Sequence, residues 1–161
     1  MKLSTRSRYG TRMVLDIAMH ETDGPVRISD ISSRQGISVK YLEKLIRPLK
    51  QAGYVTSKRG PRGGHRLSRS AKDITVGEVV RLLEGELILT ECAMDPSVCT
   101  IAQDCLTRRV WKEASDAMYE RLDSITFSDL LKEAARSGIR VEECIPAKLK
   151  PGVKKGKRKK V

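Results

Sequence analysis

The apolar positions fall into short stripes, each with its own period. Met13, Val14, Ile17 and Ala18 recur at helical spacing and predict one amphipathic helix over residues 7–21. Asp23-Gly24-Pro25 breaks it with a turn. Ile28 and Ile31 mark a short helix over 28–35, and Gly36 stands where a left-handed residue closes a helix. Ser38 precedes the next helix, where its hydroxyl is placed to accept a first-turn backbone N–H. Leu42, Leu45, Ile46 and Leu49 then fall at i, i+3, i+4 and i+7, one buried stripe. Pro48 lies inside that stripe and predicts a kink or an early stop, because proline donates no backbone hydrogen bond. Gly53 closes the segment.

Residues 54–69 read as a β-hairpin, with strands over 54–58 and 65–69 around the tip Arg59-Gly60-Pro61-Arg62-Gly63-Gly64. Thr75 and Glu78 have capping-box spacing and open a helix running to residue 84. Residues 85–104 are polar and irregular. A long helix is predicted over 106–125, with Trp111, Ala114, Met118, Leu122 and Ile125 repeating as in a helix-pairing seam. Thr126 is the expected cap of a last helix ending at Gly138.

Charge divides the chain more sharply than hydropathy does. Residues 1–72 hold 16 Lys and Arg against 5 Asp and Glu; residues 73–147 hold 8 against 15; residues 148–161 hold 8 basic residues and no acid. The net charge of +12 is therefore concentrated in a basic front lobe and a basic tail that flank an acidic lobe. Such a front lobe is drawn to phosphate and the acidic lobe is repelled. Aromatic residues make up only 4%, too few for recognition of single strands by stacking, which leaves duplex DNA or a ribosomal surface as the favoured acidic partner. No apolar run reaches the roughly 18 residues of a membrane span, and no signal-peptide core is visible. The basic, acid-free start faintly resembles a transit peptide, but the same residues carry the first helix pattern. A reducing cytoplasm is expected, where cysteines serve as ligands or redox groups more than as disulfides.

Helix, turn, capped helix and basic hairpin in this order predict a winged helix-turn-helix. The expected fold class is mostly α with a small β-hairpin wing and a long dimerisation helix. Burying Leu42, Leu45, Ile46 and Leu49 turns Ser38, Lys40, Tyr41, Lys44 and Arg47 outward, and a helix of this size fits the major groove. In the hairpin, Arg59 or Arg62 is expected to enter a minor groove or grip phosphate. Residues 1–84 are thus the expected DNA-binding domain, 85–105 a cysteine loop, 106–138 the dimerisation and C-terminal helices, and 139–161 a basic tail with little apolar surface.

The opening MKLSTRSRYG, the segment ISDISSRQGISVKYLEKL and the wing VTSKRGPRGGHRLSR resemble the Rrf-type, IscR-like family of iron–sulfur cluster regulators. TVGEVV and CLTRRVW carry the resemblance into the second half, so that it covers roughly residues 1–135. It implies a homodimer that binds double-stranded operator DNA, more often as a repressor, with an iron–sulfur cluster held by a cysteine loop beside the dimer helix. By position, Ser38, Tyr41, Glu43 and Lys44 would face bases, Arg59 and Gly60 would sit at the wing, and Glu43 would tune base choice. Cluster state would set the helix pair, and so the spacing of two reading heads on half-sites about one helical turn apart.

Cys92, Cys99 and Cys105 are separated by six and five residues. Spacing alone leaves free thiols and cluster ligands equally open, while the two-residue spacing of a zinc ribbon is absent. The resemblance favours a [2Fe-2S] or [4Fe-4S] cluster on these three cysteines, with the fourth ligand unassigned. Where some relatives place a histidine this chain has Arg108, and where others place an acid it has Arg8. His20 reads as a solvent-facing residue at a helix end, and Cys144 as an ordinary thiol. The rival readings are a cluster-free regulator controlled by thiol oxidation or a partner protein, and a basic RNA- or ribosome-associated protein. No phosphate-cradling loop or nucleophile motif argues for an enzyme. Deleting residues 148–161 is expected to weaken binding to all duplexes alike and to flatten its salt dependence; loss of operator discrimination in a titration across salt concentrations would contradict this.

Overall fold

A computed structural model of the chain describes residues 3–86 and 88–138; the basic tail and Cys144 lie outside these. Among the described residues the order is α1 (Thr5–His20), α2 (Ile28–Gln35), α3 (Val39–Gln51), β1 (Val55–Lys58), β2 (Gly64–Leu67), α4 (Val76–Glu84), α5 (Glu91–Met94), α6 (Leu106–Asp123) and α7 (Phe127–Ser137). The strands form one antiparallel hairpin in which Val55 faces Leu67 and Lys58 faces Gly64.

Local chemistry accounts for most boundaries. Helix α1 begins earlier than its apolar stripe because the Ser4 side chain accepts from the Arg6 N–H. Gly36 ends α2 in the left-handed region, and Ser38 caps α3 by accepting from the Tyr41 N–H. Thr75 and Glu78 form the expected capping box. A second box, Thr126 with Asp129, opens α7. The early stop expected at Pro48 does not occur: α3 runs on to Gln51 with the proline inside it. Proline removes its own N–H from the helix ladder, but its carbonyl still accepts from Ala52 and fully buried Leu49 holds the last turn. Burying that leucine stabilises by about 1.5–3 kcal/mol, enough to offset one lost hydrogen bond.

One core joins the front helices to the last one. Met13, Val14 and Ile17 of α1 pack with Ile31, Leu42, Leu45, Leu49, Val79 and Leu83, and Phe127 of α7 is fully buried in the same cluster. Helices α1 and α4 approach so closely that a Cβ on Gly10 would run into the Leu83 side chain. Gly77 of α4 is equally constrained, because a Cβ there would meet the Asp123 carboxylate. Arg81 donates to that same carboxylate at 2.9 and 2.6 Å and lies 4.1 Å over the Tyr119 ring, which fixes α6 on α4.

The seam expected on α6 is divided. Met118 and Leu122 pack against Val80 and Tyr119 within the chain. The stripe predicted through Trp111, Ala114, Met118, Leu122 and Ile125 is therefore half consumed by α4. The apolar row left open runs instead through Leu106, Val110, Trp111 and Ala114, with Leu106 75% and Val110 54% exposed.

Beneath the reading helices lies a buried polar cluster. Asp16 of α1 is 0% exposed and accepts from Arg34 of α2 at 2.5 Å and from Gln35 at 2.8 Å. Arg12 donates in turn to Gln35 at 2.8 Å. An isolated buried charge costs several kcal/mol, so these partners are what allow Asp16 to remain there. Asp16→Ala is expected to lower stability by about 3 kcal/mol, because it leaves Arg34 and Gln35 without their shared acceptor. A urea-melt midpoint within error of the parent would contradict this.

Candidate nucleic-acid interface

Helix α3 presents two faces. Leu42, Leu45, Ile46 and Leu49 are buried, while Ser38, Lys40, Glu43, Lys44 and Arg47 are exposed and Tyr41 is half-buried. All five positions expected on this helix, Ser38, Lys40, Tyr41, Glu43 and Lys44, thus fall on or beside its open side. Helix α2 stands behind it, held to α1 through Asp16. This is the geometry of a helix-turn-helix reading head, where the second helix is free to enter a major groove.

The wing follows directly. Arg59, Gly60 and Arg62 are exposed at its tip, and Gly60 takes a φ of +109°, a conformation that glycine adopts without strain. The Gly60 carbonyl accepts from the Gly63 N–H at 2.9 Å and closes the turn. Two residues that sequence patterns did not single out hold this ribbon. Arg27, just before α2, donates to the Pro61 carbonyl at the tip, and Glu21 accepts from the Leu67 N–H at 2.8 Å at the root. Val26 exchanges both backbone hydrogen bonds with His65. None of the three belongs to a periodic stripe, so only the folded chain shows them.

His65, the second residue of β2, is half-buried against Val26. Its Nδ1 is buried without a hydrogen-bond partner, and burial, followed by repulsion from Lys50, pushes its pKa below the ordinary 6.5. His20 turns back on α1, with Nδ1 2.8 Å from the Asp16 carbonyl oxygen.

The cysteine region holds α5 and a 3-10 turn at Pro96–Val98. Cys92, Cys99 and Cys105 are half-buried free thiols. The Cys92 thiol bonds to the Thr90 hydroxyl at 3.4 Å, and the Cys105 thiol lies 3.2 Å from that of Thr107. The Thr107 hydroxyl, then the Arg108 N–H, hold Cys105 below the usual thiol range. Arg108 Nε donates to the Cys92 carbonyl at 2.5 Å and so ties α5 to the start of α6. Among the described residues no three His, Cys, Asp or Glu side chains stand together as a metal site. The three thiols supply the donor type that iron–sulfur clusters take, yet each of Cys92 and Cys105 is engaged with its own threonine.

A basic reading helix, a glycine-tipped wing and an acidic α4–α6 half define a winged-helix transcriptional regulator. Residues 3–133 match the family model described as Rrf2, iron-dependent transcriptional regulator. The chain is 55% identical over 135 residues to Protein rrf2 of Nitratidesulfovibrio vulgaris, covering 84% of this chain and 90% of that one. Its fold is similar to T. potens IscR, with a TM-score of 0.71 and 38% identity over 87% of this chain and 93% of that one. It is also similar to CymR, the global cysteine regulator of B. subtilis, with a TM-score of 0.70 and 35% identity over 83% of this chain and 98% of that one. The chain belongs to the Rrf2 family of transcriptional regulators, and its relatives there are regulators rather than enzymes.

The depressed pKa of His65 gives the fold a pH dependence of known sign. The unfolded chain takes up the proton more readily than the wing does, so stability is complete above about pH 6.5 and declines as the pH falls below it. Thermal melts between pH 7.5 and 5.5 are expected to show His65→Gln losing less stability than the parent over that range. An identical slope in both proteins would assign the loss elsewhere.

Proposed function

We propose that the chain is a homodimeric, sequence-specific operator-binding repressor whose hold on double-stranded DNA answers to the state of its cysteine loop. The observation that carries DNA reading is the open side of α3: Ser38, Lys40, Glu43 and Lys44 exposed opposite a fully apolar buried stripe, with Tyr41 at its edge. In this reading Ser38, Tyr41, Glu43 and Lys44 meet base edges. Lysine favours guanine acceptors, and the Glu43 carboxylate favours a cytosine amino group. Arg59 and Arg62 engage phosphate or a minor groove, and Gly60 lets the tip backbone come close.

The row Leu106, Val110, Trp111 and Ala114 on α6 supports pairing with a second copy, because exposed apolar side chains in a line gain by mutual burial. Pairing through α6 would set the spacing of two reading heads, which must match half-sites on one face of the duplex. Occupancy of an operator by such a dimer represses by excluding other proteins from it. The working compartment is the cytoplasm; no helix of the described residues is long and apolar enough to cross a membrane.

Cys92, Cys99 and Cys105 are the residues that would hold an iron–sulfur cluster, which when bound supplies a redox- and oxygen-sensitive group. Their place between α4, on the DNA side, and α6, on the pairing side, supports a sensor. A second reading, control by thiol chemistry without a cluster, is favoured by Cys105, whose thiol lies 3.2 Å from the Thr107 hydroxyl and is held below the usual thiol range by it and the Arg108 N–H.

Selection from a randomised duplex pool, followed by titration, tests DNA reading. Lys44→Ala and Arg59→Ala are each expected to weaken binding to the enriched duplex by about 1–3 kcal/mol, with Lys44→Ala also relaxing sequence preference. Enrichment of no sequence by the full chain would overturn the reading. For the loop, iron and acid-labile sulfide are measured on protein prepared without air. Both present, and lost on substituting the cysteines with alanine, supports the cluster. Both absent, with oxidant-sensitive DNA binding that Cys105→Ala abolishes, supports the thiol reading. An unaltered response to oxidants in all three alanine variants would remove the loop as sensor.

A further inference from the structure

Tyr41 is the aromatic residue of α3, on the edge of its open side, and α1 determines where its ring can lie. The Tyr41 hydroxyl is 3.5 Å from Thr5 Oγ1. The Tyr9 ring meets the Tyr41 ring edge-on, with centroids 6.0 Å apart and planes at 90°. Tyr9 is itself backed by the Arg12 guanidinium, 5.8 Å from its ring centre, and Arg12 is bound to Gln35 and through it to Asp16. The Tyr41 backbone is fixed as well, since its N–H donates to the Ser38 cap. The first turn of α1 is in turn anchored from α4: Glu84 accepts from the Ser4 N–H at 2.8 Å and from the Ser4 hydroxyl at 2.6 Å. Partial burial opposes ionisation of Glu84, but the bonds from Ser4 outweigh it and hold the carboxyl below its usual range.

We propose that Thr5 and Tyr9 are positioning residues for DNA reading: they fix the Tyr41 ring on the open side of α3, and Glu84 holds the first turn of α1 in place for them. The inference rests on the reading above that Tyr41 faces bases. An aromatic ring on two freely rotating side-chain bonds reads poorly, because ordering it on binding costs conformational entropy; a ring ordered beforehand escapes that cost. The edge-on contact and the hydroxyl contact restrain different motions, the first the direction of the ring and the second the place of its tip. Neither Thr5 nor Tyr9 has to touch DNA for this role.

The test uses the full chain, the duplex enriched by the parent protein and a random duplex of equal length. Thr5→Val and Tyr9→Leu are each expected to cut the preference for the enriched duplex about tenfold, with random-duplex affinity and salt slope unchanged. Thr5→Ser and Tyr9→Phe keep the contacting groups and are expected to restore it. In a Tyr41→Ala background neither substitution has a further effect. Thr5 is exposed, so Thr5→Val reports even where Tyr9→Leu disturbs packing. Loss of preference in Tyr41→Ala with none in Thr5→Val or Tyr9→Leu overturns the positioning role alone. An unchanged preference in Tyr41→Ala overturns the reading of Tyr41 itself. Equal loss on both duplexes in step with a lowered melting temperature assigns Thr5 and Tyr9 to stability and also overturns the proposal.

Discussion

A single buried carboxylate sets the frame for everything at the DNA face. Asp16 of α1 is buried with no exposure, and its carboxylate oxygens are satisfied where α2 delivers Arg34 and Gln35. Apolar packing alone would leave α2 free to slide along α1, because hydrophobic contact is non-directional. The two donors remove that freedom. With α2 registered, the short turn at Gly36 and the Ser38 cap leave α3 one way to leave it, and the same polar chain continues through Arg12 to Tyr9. A polar contact under the reading head thus fixes direction where the leucine stripe supplies only cohesion.

The second half of the chain is joined to the first at a small number of rigid points. Arg81 grips Asp123 with two hydrogen bonds, Thr75 and Thr126 form a backbone bridge, and Phe127 inserts into the front core. Gly77 allows α4 and the end of α6 to meet without a side chain between them. Glu84, at the far end of α4, already holds the first turn of α1. Packed and hydrogen-bonded contacts thus run from the cysteine region through α6 and α4 to the first turn of α1.

Much of this was legible from residue order. The leucine stripe of α3, the caps at Ser38, Thr75 and Thr126, the glycine stop at Gly36 and the charge division all arise from interactions within a few residues, and such interactions leave a local signature. What was not legible involves partners far apart in the chain. Ser4 with Glu84, Tyr9 with Tyr41 and Arg27 with Pro61 have no shared period, and each residue alone reads as an ordinary surface group. The α6 seam is legible only in part for a related reason. That helix carries two apolar lines, and periodicity cannot say which of them α4 covers; only the packing of Met118 and Leu122 on Val80 decides it. The prolonged α3 shows the same limit from the other side, since the local objection to Pro48 was outweighed by the burial of Leu49.

The pairing of Val26 with His65 has a consequence for solubility. A two-stranded ribbon has two bare edges, and bare edges recruit strands from other molecules. Here the β2 side is occupied by Val26 at mid-strand. The remaining edge, on β1, is four residues long and ends in Lys58, followed by Arg59. So short and charged a margin is a poor template for fibre growth, and the chain can keep a ribbon projecting into solvent while it searches for DNA.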